Sequence, residues 1–196
     1  DLNLVCRSNR IRRSFFAQLN KEFGVPMEDI DDEIEYLLGI KVAWDEQSQS
    51  TSLTQELAID KLLAASKMTD CAEKPIPMSP GDILCKNEGP EDTSFPYRTV
   101  VGICLYLSQV TRPDIAFASS TLSKYVSCPS ADHIKAAKYL IRYLKGTRSL
   151  GVRYYASGSA EETVKGRGYV NKNKLITYAD AAYADDVDTR ASTQGY

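Results

Sequence analysis

Histidine occurs once, at His133, in a chain of 196 residues that holds five cysteines. Those cysteines (Cys6, Cys71, Cys85, Cys104 and Cys128) are scattered and form no Cys-x-x-Cys pair. A structural zinc site needs four closely spaced thiolate or imidazole ligands, so this supply argues against zinc. It fits reduced thiols in an intracellular protein better than a disulfide framework. No apolar run approaches the roughly 20 residues that cross a bilayer, and the first residues lack a signal-peptide pattern. The net charge of −2 excludes a wholly basic nucleic-acid binder, so any such role must come from local patches. Hydrophobic content of 43% and charged content of 26% fit a globular chain of one domain or two small ones. No internal repeat is evident. The first residue is Asp1, and the sequence reads as a piece of a longer chain.

What is there is a helical run between residues 97 and 146. Val100, Val101, Cys104, Leu105 and Ser108 fall at helical spacing, and that helix stops at Thr111-Arg112-Pro113-Asp114. Thr111 reads as the N-cap of a second helix, with Pro113 in its first turn and Asp114 as a capping-box carboxylate. The second helix carries Ile115, Ala118, Leu122 and Tyr125 and closes before Cys128-Pro129; Ser130 then caps a third. In the third, Ile134, Ala137, Leu140, Ile141 and Leu144 share one side. Lys135, Lys138, Arg142 and Lys145 gather on the adjoining arc, and Gly146 stands where a left-handed cap is cheapest. A core edge beside a cationic ladder suits a phosphate backbone, because each cation can replace condensed counterions. A solvated charged face is the alternative.

Before this run, residues 1–5 alternate like the end of a strand. Ser8 or Asn9 then caps a helix that turns Ile11, Phe15, Phe16, Leu19 and Phe23 inward and ends at Gly24. Arg7, Arg10, Arg12 and Arg13 crowd its first turns against the helix dipole. An acidic linker at 28–33 leads to a strand at 36–44, a polar turn at 45–50 and a return strand at 51–54. A helix over 55–66 follows, with Leu57, Ile59, Leu62 and Leu63 inward. Residues 71–96, rich in Pro and Gly, read as the linker. After the helical run, 150–155 reads as a strand and 156–173 as a loop. Residues 175–180 form a strand ending in Asp180, and Asp185, Asp186 and Asp188 mark a turn before a further strand from Ser192.

Several of these stretches resemble the copia-type retrotransposon Pol polyprotein. They include Tyr97-Arg98-Thr99-Val100-Val101-Gly102, Leu105-Tyr106-Leu107 and the run from Thr111 to Ala118. His133-Ile134-Lys135-Ala136-Ala137-Lys138, Arg142-Tyr143-Leu144-Lys145-Gly146-Thr147, Tyr36-Leu37-Leu38-Gly39-Ile40 and Pro75-Ile76-Pro77-Met78 are similar to it too. The resemblance implies an α+β chain in four parts. Residues 1–70 would be the end of a reverse transcriptase palm, with its hairpin and helix, and 71–96 the linker. Residues 97–149 would be a helical thumb and connection, and 150–196 the truncated start of an RNase H-like domain with an incomplete β-hairpin.

By the same resemblance Asp1 matches the second aspartate of a Tyr-x-Asp-Asp motif, and Asp180 the first carboxylate of RNase H. Both would be catalytic magnesium ligands, since such sites hold two divalent ions between carboxylates. One departure stands out: the family has Asp-Ala-Asp-Trp where this chain has Asp180-Ala181-Ala182-Tyr183. The resemblance thus implies a fragment of an RNA-directed DNA polymerase, located in a cytoplasmic virus-like particle or the nucleus. Its partners would be an RNA/DNA duplex, gripped through Lys135, Lys138, Arg142 and Lys145, and the rest of the polyprotein, with no membrane and no zinc. With most catalytic carboxylates missing, the isolated chain is expected to be inactive. The alternatives are a non-catalytic nucleic-acid-binding module and a decayed structural remnant of a mobile element.

Overall fold

The computed structural model describes residues 8–24, 35–155, 180–184, 186–192 and 194–195. Those residues form a mixed α+β fold with five α-helices, a four-stranded antiparallel sheet and a separate two-stranded pair. Helix α1 (Asn9–Phe23) begins at Ser8, whose hydroxyl accepts from the Arg10 amide, and ends at Gly24 with φ 67°, as its sequence predicts. Phe15, Phe16 and Leu19 are half-buried, but Ile11 and Phe23, expected inward, are exposed.

The strand expected over 36–44 is two strands. Strand β1 (Tyr36–Leu37) and strand β2 (Ile40–Asp45) pair through Leu37↔Ile40. Leu38 and Gly39 between them have φ 52° and 77°, the left-handed pair that a two-residue hairpin turn needs. A leucine at such a position gives no turn signal, and the apolar run conceals the break. β2 pairs with β3 (Ser50–Thr54) across the expected polar turn, where the Asp45 carboxylate accepts from the Gln47 and Ser48 amides and the Ser48 hydroxyl. Helix α2 (Glu56–Ala65) follows and buries Ile59, Leu62 and Leu63. Leu57, expected inward, is exposed; the buried face starts instead at Gln55, four residues before Ile59.

Helices α3 (Tyr97–Val110), α4 (Ala116–Ser123) and α5 (Ala131–Gly146) pack with α2 into one core. Val100, Val101, Cys104 and Leu107 of α3 line it, and Leu105 packs against it half-buried. The second and third apolar faces fall as their spacing predicts, with Ile115, Ala118, Leu122, Ile134, Ala137, Leu140, Ile141 and Leu144 all buried. Two local expectations fail. Thr111 ends α3 and its hydroxyl donates to Gln55 Oε1 at 2.8 Å, so it caps no following helix. Gly146 lies within α5 and is followed by Thr147 at φ −121°, so α5 has no left-handed cap.

Ser130 does cap α5, in a reciprocal box with His133: the Ser130 amide donates to His133 Nδ1 at 2.8 Å. The buried imidazole stacks on Tyr125, ring centroids 4.1 Å apart. Its Nε2 meets no hydrogen-bond partner at full bonding geometry among the described residues. Burial holds its pKa below the ordinary histidine value, although the Cys85 backbone, Asp132 and Asp188 favour the charged form.

Residues 71–96 run along the bundle. Leu84 and Phe95 are buried, Tyr125 Oη donates to the Leu84 carbonyl at 2.7 Å, and the Asp92 amide donates to the Pro129 carbonyl at 2.9 Å. Strand β4 (Val152–Tyr155), read in sequence as opening the C-terminal unit, pairs with β3 and completes the sheet in the order β1-β2-β3-β4. The helical region is therefore an excursion between two neighbouring strands. Gly151 makes the return possible: a Cβ there would overlap the Leu53 carbonyl oxygen and lie 2.9 Å from Thr54 Cγ2. Strand β5 (Asp180–Ala181) pairs with β6 (Gln194–Gly195), consistent with the expected hairpin. The linker at 28–33 and the loop at 156–173 lie outside the described residues.

Two outcomes are expected. Gly151→Ala lowers stability by about 1–3 kcal/mol in urea unfolding, because the overlap is with backbone that cannot swing away. For His133, unfolding releases a ring that binds its proton near 6.5 from one that resists it, so stability falls as pH drops below that value. His133→Gln should flatten this part of the melting-temperature profile between pH 7 and 5.

Candidate nucleic-acid interface

The cationic arc of α5 is held from two directions, and the first is internal. Arg112 enters the core at 1% exposure, and a buried charge is tolerated only when paired and hydrogen-bonded. Its guanidinium makes four such bonds: Nε to Asp114 Oδ1 at 3.0 Å, Nη2 to Asp114 Oδ2 at 2.8 Å, Nη1 to the Thr147 carbonyl at 3.0 Å and Nη2 to Thr147 Oγ1 at 2.7 Å. Tyr143 Oη adds a bond to Asp114 Oδ2 at 2.7 Å. Burial raises the Asp114 carboxyl, but the bonds from Arg112 and Tyr143 outweigh it and keep the group below its ordinary value. Asp114 therefore pairs with Arg112 instead of closing a capping box. One residue on, Arg148 binds Asp60 through both oxygens at 2.6 Å and Glu56 at 2.7 Å, fastening the end of α5 to α2.

The second constraint is the segment at 71–96. Arg142 Nε donates to the Ala72 carbonyl at 2.6 Å, and Lys145 Nζ to the Cys71 carbonyl at 2.8 Å. Lys138 Nζ lies 5.1 Å from the Phe95 ring centroid, a cation–π contact, and its charge reaches Asp92. Lys135 is exposed and makes no hydrogen bond or ion pair among the described residues. The structure thus brings Lys135, Lys138, Arg142 and Lys145 onto one face, two with exposed heads and two with heads bonded to backbone carbonyls. A lysine ammonium has three donors and a guanidinium five, so the fixed pair keeps capacity for a further acceptor.

Asp1 lies outside the described residues. Asp180 is on β5, opposite Gly195 of β6. Among the described residues no three His, Cys, Asp or Glu side chains gather as a metal ion requires. Asp186 acts within its turn, accepting from the Asp188 and Thr189 amides and from the Thr189 hydroxyl. It also pairs with Lys124 at 2.7 Å, the main cause of its depressed pKa. The sequence reading missed Arg112 and Arg148, which show no periodicity; Arg-x-Asp at 112–114 was the available signal.

No helix among the described residues is long and apolar enough to cross a membrane. No family model matches the chain, and no solved structure matches it. It is 40% identical over 103 residues to Secreted RxLR effector protein 161 of Plasmopara viticola, 53% of this chain and 63% of that one. It is 33% identical over 179 residues to the Retrovirus-related Pol polyprotein from transposon RE1 of Arabidopsis thaliana, covering 91% of this chain and 11% of that protein. It is 28% identical to the Retrovirus-related Pol polyprotein from transposon TNT 1-94 of Nicotiana tabacum, over all of this chain and 14% of that protein. The chain therefore spans under two thirds of the first of these relatives and a small part of the two polyproteins.

The Arg112 network yields an expectation. Arg112→Met should lower stability by about 3–5 kcal/mol in denaturant unfolding, since it strands Asp114 and two Thr147 acceptors. Asp114→Asn should cost less, because that side chain is 35% exposed and water can replace part of what is lost.

Proposed function

The chain belongs to the copia-type retrotransposon Pol polyproteins, and from that premise we propose that it is a segment of an RNA-directed DNA polymerase. On this reading it comprises the end of the palm, the thumb and connection, and the first hairpin of RNase H. Its task is to hold a primer–template duplex by the phosphate backbone, without reading bases. The observation that carries the reading is the α5 face. Lys135, Lys138, Arg142 and Lys145 stand on a helix whose opposite side is buried, and backbone carbonyls fix Arg142 and Lys145. Cations held in place lose less side-chain entropy when they meet a phosphate than free ones do. Asp180 is assigned as the first of a set of magnesium-binding carboxylates, and Asp1 as a carboxylate of the polymerase pair. The 196-residue chain by itself is assigned no catalysis.

The reading is tested by measuring binding to an RNA–DNA hybrid over a range of salt. Affinity should fall steeply, with a log–log slope of about −0.9 for each phosphate neutralised, the B-DNA figure. Lys135→Gln with Lys138→Gln, which removes no hydrogen bond to the backbone, should make the slope about 2 units shallower. Lys61→Gln on α2 should leave it unchanged. An unaltered slope in the double variant would reduce the ladder to a solvated face.

A further inference from the structure

Along α5 the four cations follow one another at spacings of three, four and three. Beside them stands Tyr139, four residues after Lys135 and three before Arg142. A cation from outside the helix joins the ladder there. Lys74, in the segment that follows α2, sets its ammonium 5.2 Å from the centroid of the Tyr139 ring. Its backbone amide donates to the Arg142 carbonyl at 3.3 Å, so the residue is anchored to the helix at two points. The carbonyls of Cys71 and Ala72, three and two residues earlier, are those that hold Lys145 and Arg142. One short stretch of backbone therefore positions two ladder cations and supplies a further charge beside Tyr139.

We infer that residues 71–74 and α5 together form one phosphodiester-binding seam, in which Lys74 is a fifth backbone-contacting cation and the Cys71 and Ala72 carbonyls are positioning groups. The inference rests on the duplex-binding reading and extends it to a segment that composition marks only as a linker. Two carboxylates border the seam. Glu73 packs against Gly146, where an added Cβ would lie 3.1 Å from the Glu73 Cβ, and Asp92 faces Lys138. A ring face attracts a lysine ammonium without neutralising it, so Lys74 keeps its charge for a phosphate. The ligand class is a polyanion with phosphates spaced along a strand, and a mononucleotide would engage too few of the five charges to be held.

The test uses the intact 196-residue chain and an RNA–DNA hybrid duplex, with affinity measured over a range of salt. Lys74→Gln should make the log–log slope shallower by about 0.9, with the melting temperature unchanged, and Lys74→Arg should restore it. Tyr139→Leu should weaken binding at low salt by a smaller factor. A weaker Lys74→Gln affinity with an unchanged slope would assign Lys74 to packing alone and overturn the inference. If Lys135→Gln with Lys138→Gln reduces the slope but Lys74→Gln does not, the helix ladder stands and the seam falls. If the unmodified chain shows no salt-dependent binding, the duplex reading falls and the seam with it.

Discussion

A guanidinium in the middle of an apolar bundle is the constraint on which the rest of this structure depends. Arg112 can be buried because Asp114 and Thr147 accept four hydrogen bonds from it while Tyr143 donates to Asp114, and those residues come from the α3–α4 turn and from the end of α5. The pairing therefore fixes where α5 stops. From that point everything downstream is placed within a few residues: Arg148 clamps α2, Gly151 passes close against the Leu53 carbonyl, and β4 enters the sheet beside β3. A helical excursion of nearly 100 residues between two adjacent strands is entropically expensive to close. A directional, paired and hydrogen-bonded charge at its base gives a closure with one geometry, which apolar packing alone would specify less sharply.

The functional face follows from the same geometry. With α5 fixed at both ends, by the Ser130–His133 box and by Thr147, its buried side is set and the cationic arc is left facing outward. The segment 71–96 then lies beside that arc and organises it. Backbone carbonyls are strong acceptors that must find donors. Those of Cys71 and Ala72 find them in Lys145 and Arg142, so satisfying the segment's own hydrogen bonds also orders the cations. Structure and proposed binding are thereby served by the same contacts.

How much of this was legible in the sequence depended on whether the signal was periodic. The apolar faces of α4 and α5 were readable because burial repeats at helical spacing, and the four α5 cations were readable for the same reason. The caps at Ser8, Gly24 and Ser130 were readable because their chemistry is local. What was hidden depended on partners distant in sequence or on atypical residues. Leu38 takes a left-handed turn conformation without being glycine, Gln55 starts a buried face because Thr111 meets it, and β4 joins a sheet a hundred residues back. Residues 71–96 have the composition of a linker, yet Leu84, Phe95 and a row of backbone bonds attach them to the bundle. The aspartates were the least legible. Its place at a strand end marks Asp180 only weakly as a metal ligand, and the family resemblance sharpens that reading.

The most direct test of the central claim is amide hydrogen exchange of the chain with and without an RNA–DNA hybrid duplex. The account predicts slowed exchange confined to α5 and to residues 71–75, fading as salt is raised. Protection located on the β1–β4 sheet or on α1, with α5 and residues 71–75 unchanged, would contradict it.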